Sequence, residues 1–549
     1  MSNLLFLFGC AMVAAARCAS ASEALPTVAW DLAAGRGVIA GDCGRAANRL
    51  LQGWIDLKQD PQTHLFSRDR QWDYHNEAAD HYSSLVLVAF YVNPALNEKG
   101  GALHQTLMSS RQLCATPSGL PTLYDLKNQK PGPPATLKAL TEWTRDGLIR
   151  IAEVMGTDND WYRELERLTD AMLAEAARQG GVAREFGGDT ENAGNMLQTL
   201  ARLYAMSGRQ EYLRAAEELA DHFLLDADCL ASLLKIKLLD HGCELVPGLG
   251  ELFALEGQLK RPKAAQYEPP MRALLDRFLQ ESVNSQTGLL CKSTRTSAGE
   301  MKWERLPDTW GYVHYTFENY DRATGGTRYR QAVEKPLRWL IENRPRSASL
   351  RESLWPKMEM GDDLSDSYES FIVLWNRTQH LPGGFEWLDW AIHQEQGAGG
   401  RNDFERLLPT TLVKRYGPYR GHHFDGSVGR NLICHMLLCS QGVRCAPFVE
   451  GVRLGAVRDG ERLCLTLQTD SEWHGKLLFD GPRTKHKAAT LDWARINEMP
   501  QWFVAQPEKR YVLTLDTAAP VTVSGRELIG GVKISAKPGQ LHRIQAQPL

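Results

Sequence analysis

A chain of 549 residues is longer than one ordinary hydrophobic core organises, so two or more domains are expected. Its apolar and charged fractions, 43% and 23%, are those of a soluble globular protein. A net charge of −3 without any Lys/Arg block argues against nucleic acid or a polybasic membrane surface as the main partner.

From the N-terminus, Leu4-Leu5-Phe6-Leu7-Phe8 and an Ala-rich stretch lead to Ala19-Ser20-Ala21, a small-x-small cleavage signature. Residues 1–21 therefore read as a secretory signal peptide, although no Lys or Arg precedes the apolar run and Arg17 stands inside the cleavage region. No later apolar run approaches the roughly 18 residues a membrane span needs. The mature chain is expected to be secreted or periplasmic, with no membrane segment.

Residues 22–445 form the first expected domain. Helical periodicity dominates from about residue 40 to 442, and the helices come in pairs. Pro134–Met155 pairs with Asp160–Arg178, Glu191–Met206 with Gln210–Leu225, and Leu249–Leu259 with Pro270–Glu281. Trp310–Ala323 then pairs with Tyr329–Glu342 and Leu364–Arg377 with Gly384–Gln394, before a last helix at Ser427–Leu438. Breakers such as Ser207-Gly208 and Thr324-Gly325-Gly326 make short turns, which favour antiparallel neighbours. The first helices of the pairs start about 60 residues apart, seven times in all. Such units bury their apolar faces by stacking into a solenoid or closing into a ring.

The polar residues favour the ring. First helices open on His75-Asn76-Glu77-Ala78-Ala79-Asp80-His81, Gly188-Asp189-Thr190-Glu191-Asn192, Pro307-Asp308-Thr309-Trp310-Gly311-Tyr312, Gly361-Asp362-Asp363 and His422-His423-Phe424-Asp425. Singly, each is an ordinary helix cap. In a toroid all first helices point the same way, and the five clusters converge on one mouth. The fold expected is mainly α: an (α/α)6 or (α/α)7 toroid of helical hairpins with a small C-terminal antiparallel β-sandwich.

Cys434, Cys439 and Cys445 near His435 lack the spacing of a zinc knuckle, and the first two sit on a helical stretch where Cys packs as a small hydrophobe. His75-x-Glu77-x3-His81 is not the H-E-x-x-H arrangement. No metal and no cofactor is expected. From Gly451 the period becomes 2, with strand-like runs at Leu463–Leu467, Gly475–Phe479, Tyr511–Asp516, Val521–Ser524, Val532–Ala536 and Leu541–Ala546. Residues 446–549 thus read as a β-sandwich that caps the toroid, with Leu491–Phe503 departing from the strand pattern.

The in-phase loops would gather carboxylates, and cleavage of a glycosidic bond needs two of them, one protonated and one ionised. The expected catalytic set is Asp308, Asp189, Asp363, Asp362 and Asp425, with Asp308 paired to Asp189 or to one of Asp362 and Asp363. An inverting separation of about 6.5–9.5 Å is expected for the pair. Arg184, Asn192, Glu77, His81, Trp310, Tyr312, His314, His422 and His423 are the expected substrate-binding residues, the cations suiting a uronate carboxylate.

The pattern over residues 70–440, and locally Pro307-Asp308-Thr309-Trp310-Gly311-Tyr312 and Gly188-Asp189-Thr190-Glu191-Asn192, resembles the six-hairpin glycosidase superfamily, which includes unsaturated glucuronyl hydrolases. The resemblance implies a toroid glycoside hydrolase acting on an oligo- or polysaccharide, uronate-containing or plant-type. Two alternatives stand beside it. One is a polysaccharide lyase using Tyr312, His314 or His423 as base. The other is a non-catalytic helical scaffold that binds carbohydrate.

Overall fold

The computed structural model describes residues 27–67, 70–226, 243–290, 292–295, 301–305, 309–344, 362–378, 381–395, 424–483 and 488–549. The putting-together of the first domain follows from helix character. Segments that are apolar nearly all round go inside, and segments with one apolar stripe go outside.

The first inner helix combines a π-helical stretch, Tyr74–Tyr82, with Ser83–Val92. The second runs through Leu137–Glu142, a π-helical Trp143–Leu148 and Ile149–Met155. The third to seventh are Thr190–Ser207, Leu245–Gln258, Trp310–Thr324, Asp362–Arg377 and Phe424–Ser440. Each packs on the next, and the seventh packs back on the first. The ring is therefore closed, and among the described residues it has seven inner helices, the larger of the two numbers expected.

Outer helices Ala102–Leu113, Asp160–Gln179, Gln210–Leu224, Pro262–Glu281, Arg330–Glu342 and Gly384–Glu395 follow the first six inner ones. The seventh inner helix takes its outer partner from the other end of the chain, the 32-residue helix Thr27–Lys58. That helix was not among the pairs read from the sequence. It buries Leu50, Leu51 and Trp54 and closes the circle. The outer helix read as starting at Pro270 begins at Pro262, with Pro269 and Pro270 inside it. Pro269 is on the solvent side, where water can serve the carbonyls that the missing N–H groups leave.

Small residues let the inner helices approach. A Cβ on Gly194 would stand 2.2 Å from the backbone carbon of Glu244, and one on Gly426 would stand 2.3 Å from the Asp80 carbonyl oxygen. Both contacts are backbone, which cannot swing aside. We expect Gly194→Ala to cost about 1–3 kcal/mol of stability, the range for overpacking. Chemical denaturation measures it, and an unchanged midpoint would show that the third and fourth helices have slack.

The C-terminal strands are β1 Arg444–Ala446, β2 Arg453–Asp459, β3 Arg462–Gln468, β4 Trp473–Leu478, β5 Arg510–Leu515, β6 Val521–Ser524, β7 Val532–Ala536 and β8 His542–Pro548. They form two antiparallel sheets, ordered β6-β5-β8-β3-β2 and β7-β4-β1. Leu463, Leu465 and Leu467 alternate inward from β3 to meet Leu477 and Ile534 of the other sheet. The β2–β3 turn lies at Asp459-Gly460-Glu461, with Gly460 at φ 62° as a tight hairpin needs. Strands β2 and β3 lie against Thr27–Lys58, fastening the sandwich to the ring.

Candidate active site

The loop between β4 and β5 leaves the sandwich and runs across the C-terminal ends of the inner helices. The Ala488 N–H donates to the Ala205 carbonyl (3.1 Å), the Thr490 N–H to Gln258 Oε1 (2.9 Å) and the Ala494 N–H to Asn319 Oδ1 (2.8 Å). Arg377 donates to the Trp493 carbonyl and to both oxygens of Glu498. Beneath them Arg202, fully buried, forks onto Glu251 at 2.6 and 2.8 Å and also donates to the Ile496 carbonyl. Leu491–Phe503 is the stretch that broke the strand pattern in the sequence. It serves as a floor to the ring.

Above that floor, at the N-terminal ends of the inner helices, lies a cavity of about 170 Å³. The first inner helix contributes His75, Asn76 and Asp80, and the second contributes Glu142, Arg145, Asp146 and Arg150. Glu244, Tyr312, Asp366, Ser427 and Arg430 come from the entrances of the fourth to seventh, and Asn497 from the floor. Six of the seven inner helices line it; the entrance of the third, residues 188–192, which the sequence reading placed at the same mouth, does not.

The π-helical stretches decide which side chains arrive. In a π turn the backbone bonds run i→i+5, so the facing residues are rotated from those of an α-helix. His75, Asn76 and Asp80 face the cavity. Glu77 and His81, which an α-helical reading puts on one face, turn into the wall. His81 Nδ1 lies 3.7 Å from Glu77, and its ring meets Trp54 edge-on at 3.5 Å. Asp73 caps this stretch, accepting from the N–H groups of His75, Asn76 and Glu77.

One oxygen from each of Asp80, Glu142 and Asp146 lies within 4.8 Å of the other two. Asn195 bridges the second and third helices, donating to Glu142 Oε2 (3.2 Å) and accepting from Arg145 Nε (2.8 Å). Arg145 also pairs with Asp146 and lies 3.5 Å from Glu142. These neighbours drive two adjacent acids apart. Burial raises the Glu142 carboxyl well above the usual range, and the charge of Asp146 adds to that. Burial pushes Asp146 the same way, but Arg145, backed by Arg150 and Arg430, outweighs it and holds Asp146 low. The pair is thus displaced in opposite directions, Glu142 toward its protonated form and Asp146 toward its ionised form.

Arg430 pairs with Glu369 at 2.7 Å and with Asp366 at 3.4 Å. Arg150 differs. Its terminal nitrogens donate to the Ala79 carbonyl, Ser83, Ser84 and Asn497, and among the described residues no carboxylate lies within salt-bridge distance. Burial first, and Arg430 second, bring its pKa down to about 10. The carboxylate cluster at Asp80, Glu142 and Asp146, and a second one at His75, Glu142 and Glu191, have metal-like spacing. However, three guanidiniums line the same cavity and already supply positive charge to it.

Of the residues expected from the sequence, Tyr312 lines the cavity. Burial, followed by the charges of Asp366 and Glu369, pushes its phenol well above the usual range. Trp310 and His314, one turn apart on the opposite face of the same helix, are fully buried in the wall. The His314 nitrogens lie 2.8 and 2.9 Å from the carbonyls of Trp310 and Gly288, and burial lowers its pKa. Asp189 is exposed and caps its own helix through the Asn192 N–H (2.9 Å). Asn192 accepts from Thr141, and Arg184 is exposed on the short helix Val182–Phe186. None of these three lines the cavity. Asp308, His422 and His423 lie outside the described residues. Asp362, Asp363 and Asp425 fall in helices, but their side chains lie outside them too. Cys434, Cys439 and Cys445 are buried thiols, the first two in the core of the ring and the third in the core of the sandwich.

Glu142, Asp146 and Arg150 went unread in the sequence, yet a signal was there. Glu142, Arg145, Asp146, Arg150 and Glu153 are five charges within twelve residues of a helix that also buries Trp143, Leu148, Ile149 and Ile151. Charges inside a core helix are seldom left without a task.

No protein-family model matches this chain, and a search of curated proteins returned no match. Among solved structures the chain is similar to the GH76A alpha-1,6-mannanase from Salegentibacter sp. HEL1_6, at 11% identity over 60% of this chain and 97% of that one, with a TM-score of 0.39. It is also similar to the Lin0763 protein from Listeria innocua (12% identity, 72% and 97% covered, TM-score 0.37). A third is a GH127 beta-L-arabinofuranosidase from Geobacillus Stearothermophilus T6 (11% identity, 92% and 76% covered, TM-score 0.33). Likenesses this distant leave the functional reading to the residues of the cavity.

Proposed function

We propose that this chain is a glycoside hydrolase in which Glu142 protonates the leaving oxygen and ionised Asp146 acts on the anomeric carbon. The observation that carries the reading is two carboxyls that touch in one cavity, the first pushed up by burial and the second held down by Arg145. An oxygen of each lies within 4.8 Å of the other and the two carboxyls share a hydrogen bond, so the pair is closer than the roughly 6.5–9.5 Å that inverting enzymes leave for a water. The expected outcome is release of product with its anomeric configuration retained, read by proton NMR in the first minutes of reaction. Inversion would remove Asp146 from the role of nucleophile.

The substrate proposed is an acidic, uronate-containing or plant-type glycan. Arg150 supports the acidic reading, since among the described residues this buried guanidinium has no carboxylate partner, and it suits a sugar carboxylate. A lyase has less support. The Tyr312 phenol is held protonated, and the ring nitrogens of His314 are taken up by backbone carbonyls. Secretion or periplasmic export is proposed on residues 1–21 alone. No described helix is long and apolar enough to cross a membrane.

The test is a screen of the mature chain against uronate-containing and neutral plant glycans, read by reducing ends and by ultraviolet absorbance together. Reducing ends without an ultraviolet product support hydrolysis. An unsaturated product absorbing in the ultraviolet would sink it in favour of the lyase.

A further inference from the structure

Asn497 sits at the tip of the floor loop, 5% exposed, in the left-handed conformation at φ 62°. Its side chain lines the cavity. The backbone N–H donates to Glu369 Oε1 (2.5 Å) and Nδ2 donates to Asp146 Oδ1 (2.5 Å). Oδ1 accepts from Arg430 (2.6 Å) and, at 3.4 Å, from Arg150. Glycine would satisfy the backbone at least as well. What the asparagine adds is one amide that donates to an acid and accepts from two cations.

We infer that Asn497, delivered by the C-terminal β-domain, is a positioning residue of the catalytic site, fixing the Asp146 carboxylate through its amide hydrogen bond. The inference rests on the hydrolase reading for its kinetic consequence and on geometry for its assignment. Asp146 meets Glu142, Arg145 and Arg150 from its own helix and Asp80 from the first. From the facing side come Arg430 and, through Asn497, Glu369. Among these, Asn497 contributes a bond to Asp146 that carries no charge of its own. It also keeps Arg430 and Arg150 pointed at the same spot. The β-domain thereby becomes part of the active site and not only its cap.

Two variants test this. Asn497→Gly keeps the backbone and its bond to Glu369 and deletes the side chain, and Asn497→Asp keeps the shape and replaces the donor with a like charge. Both should lower kcat by about 10- to 100-fold, the scale of a hydrogen bond to a charged group, with KM little changed. The acid limb of the pH–rate profile should move to higher pH, further for Asn497→Asp. The titration of Asp146, followed by carboxyl-carbon NMR and assigned with Asp146→Asn, should move in the same direction, and it needs no substrate. Wild-type kcat and an unmoved Asp146 titration in Asn497→Gly would overturn the inference, while loss of activity in Glu142→Gln would leave the hydrolase reading standing. If Glu142→Gln stays fully active, the hydrolase reading falls, and the NMR titration still decides the role of Asn497.

Discussion

Replacing Glu142 with Gln is expected to lower kcat by about 10²–10⁴-fold, the usual contribution of a positioned general acid, with little change in KM. Gln fills the same space, and its carbonyl oxygen can still accept from Asn195, so the fold should be undisturbed. The sign of the pH dependence follows from the two directions. Glu142 is raised, so the wild-type enzyme loses its acid as pH climbs past that value. Asp146 is lowered, so the ionised partner is lost only when pH falls below the ordinary carboxylate range. The wild type should therefore show a bell, and Glu142→Gln should abolish the alkaline limb and spare the acid one. A variant with wild-type kcat and an intact alkaline limb would mean that another group gives the proton. Asp146→Asn is the less clean experiment, because it leaves Arg145 buried beside a neutral amide.

The largest stability effect should come from beneath the cavity. Arg202 and Glu251 are both fully buried and bind in a two-pronged pair. Glu251 also accepts from the Trp493 indole (3.0 Å), and Glu153, the other acid near Arg202, is shared with Arg495. Glu251→Leu would leave Arg202 short of its main counter-ion in the interior. The expected loss is about 3–5 kcal/mol, seen as a lower midpoint in chemical denaturation. Arg202→Met should cost a similar amount. The double substitution should recover much of it, since two apolar groups leave no buried charge behind. Additive losses would mean that the pair is not energetically coupled. A destabilised Glu251→Leu chain should also lose order in the floor loop, because Trp493 and Ile496 hang from the same two residues.

Much of the architecture was legible along the chain because it is written in local periodicities. Thr190–Ser207 and Gln210–Leu224 match the helices read there within two residues at either end, and β5 to β8 match the alternating runs closely. The candidate site was legible in outline only. Six of the seven helix entrances do meet, but the reading favoured cap positions such as Asp189, where an acid is conspicuous next to Gly and Thr. An acid about two and a half turns into a core helix, such as Asp146, is masked by the Trp and Leu around it. Trp310 and His314 were conspicuous for their type and proved to face the wall.

What the sequence determined by itself is most of the units: the starts of seven inner helices, five of the outer helices, and strands that alternate apolar and polar. Hydrophobic period is a local property, and each segment carries its own. Three things were decided only in three dimensions. The closure by Thr27–Lys58, the rotation of facing residues through the two π-helical stretches, and the reach of Asn497 into the ring all depend on contacts between segments far apart in the chain. No window of neighbouring residues contains both members of such a contact, so no period can announce it.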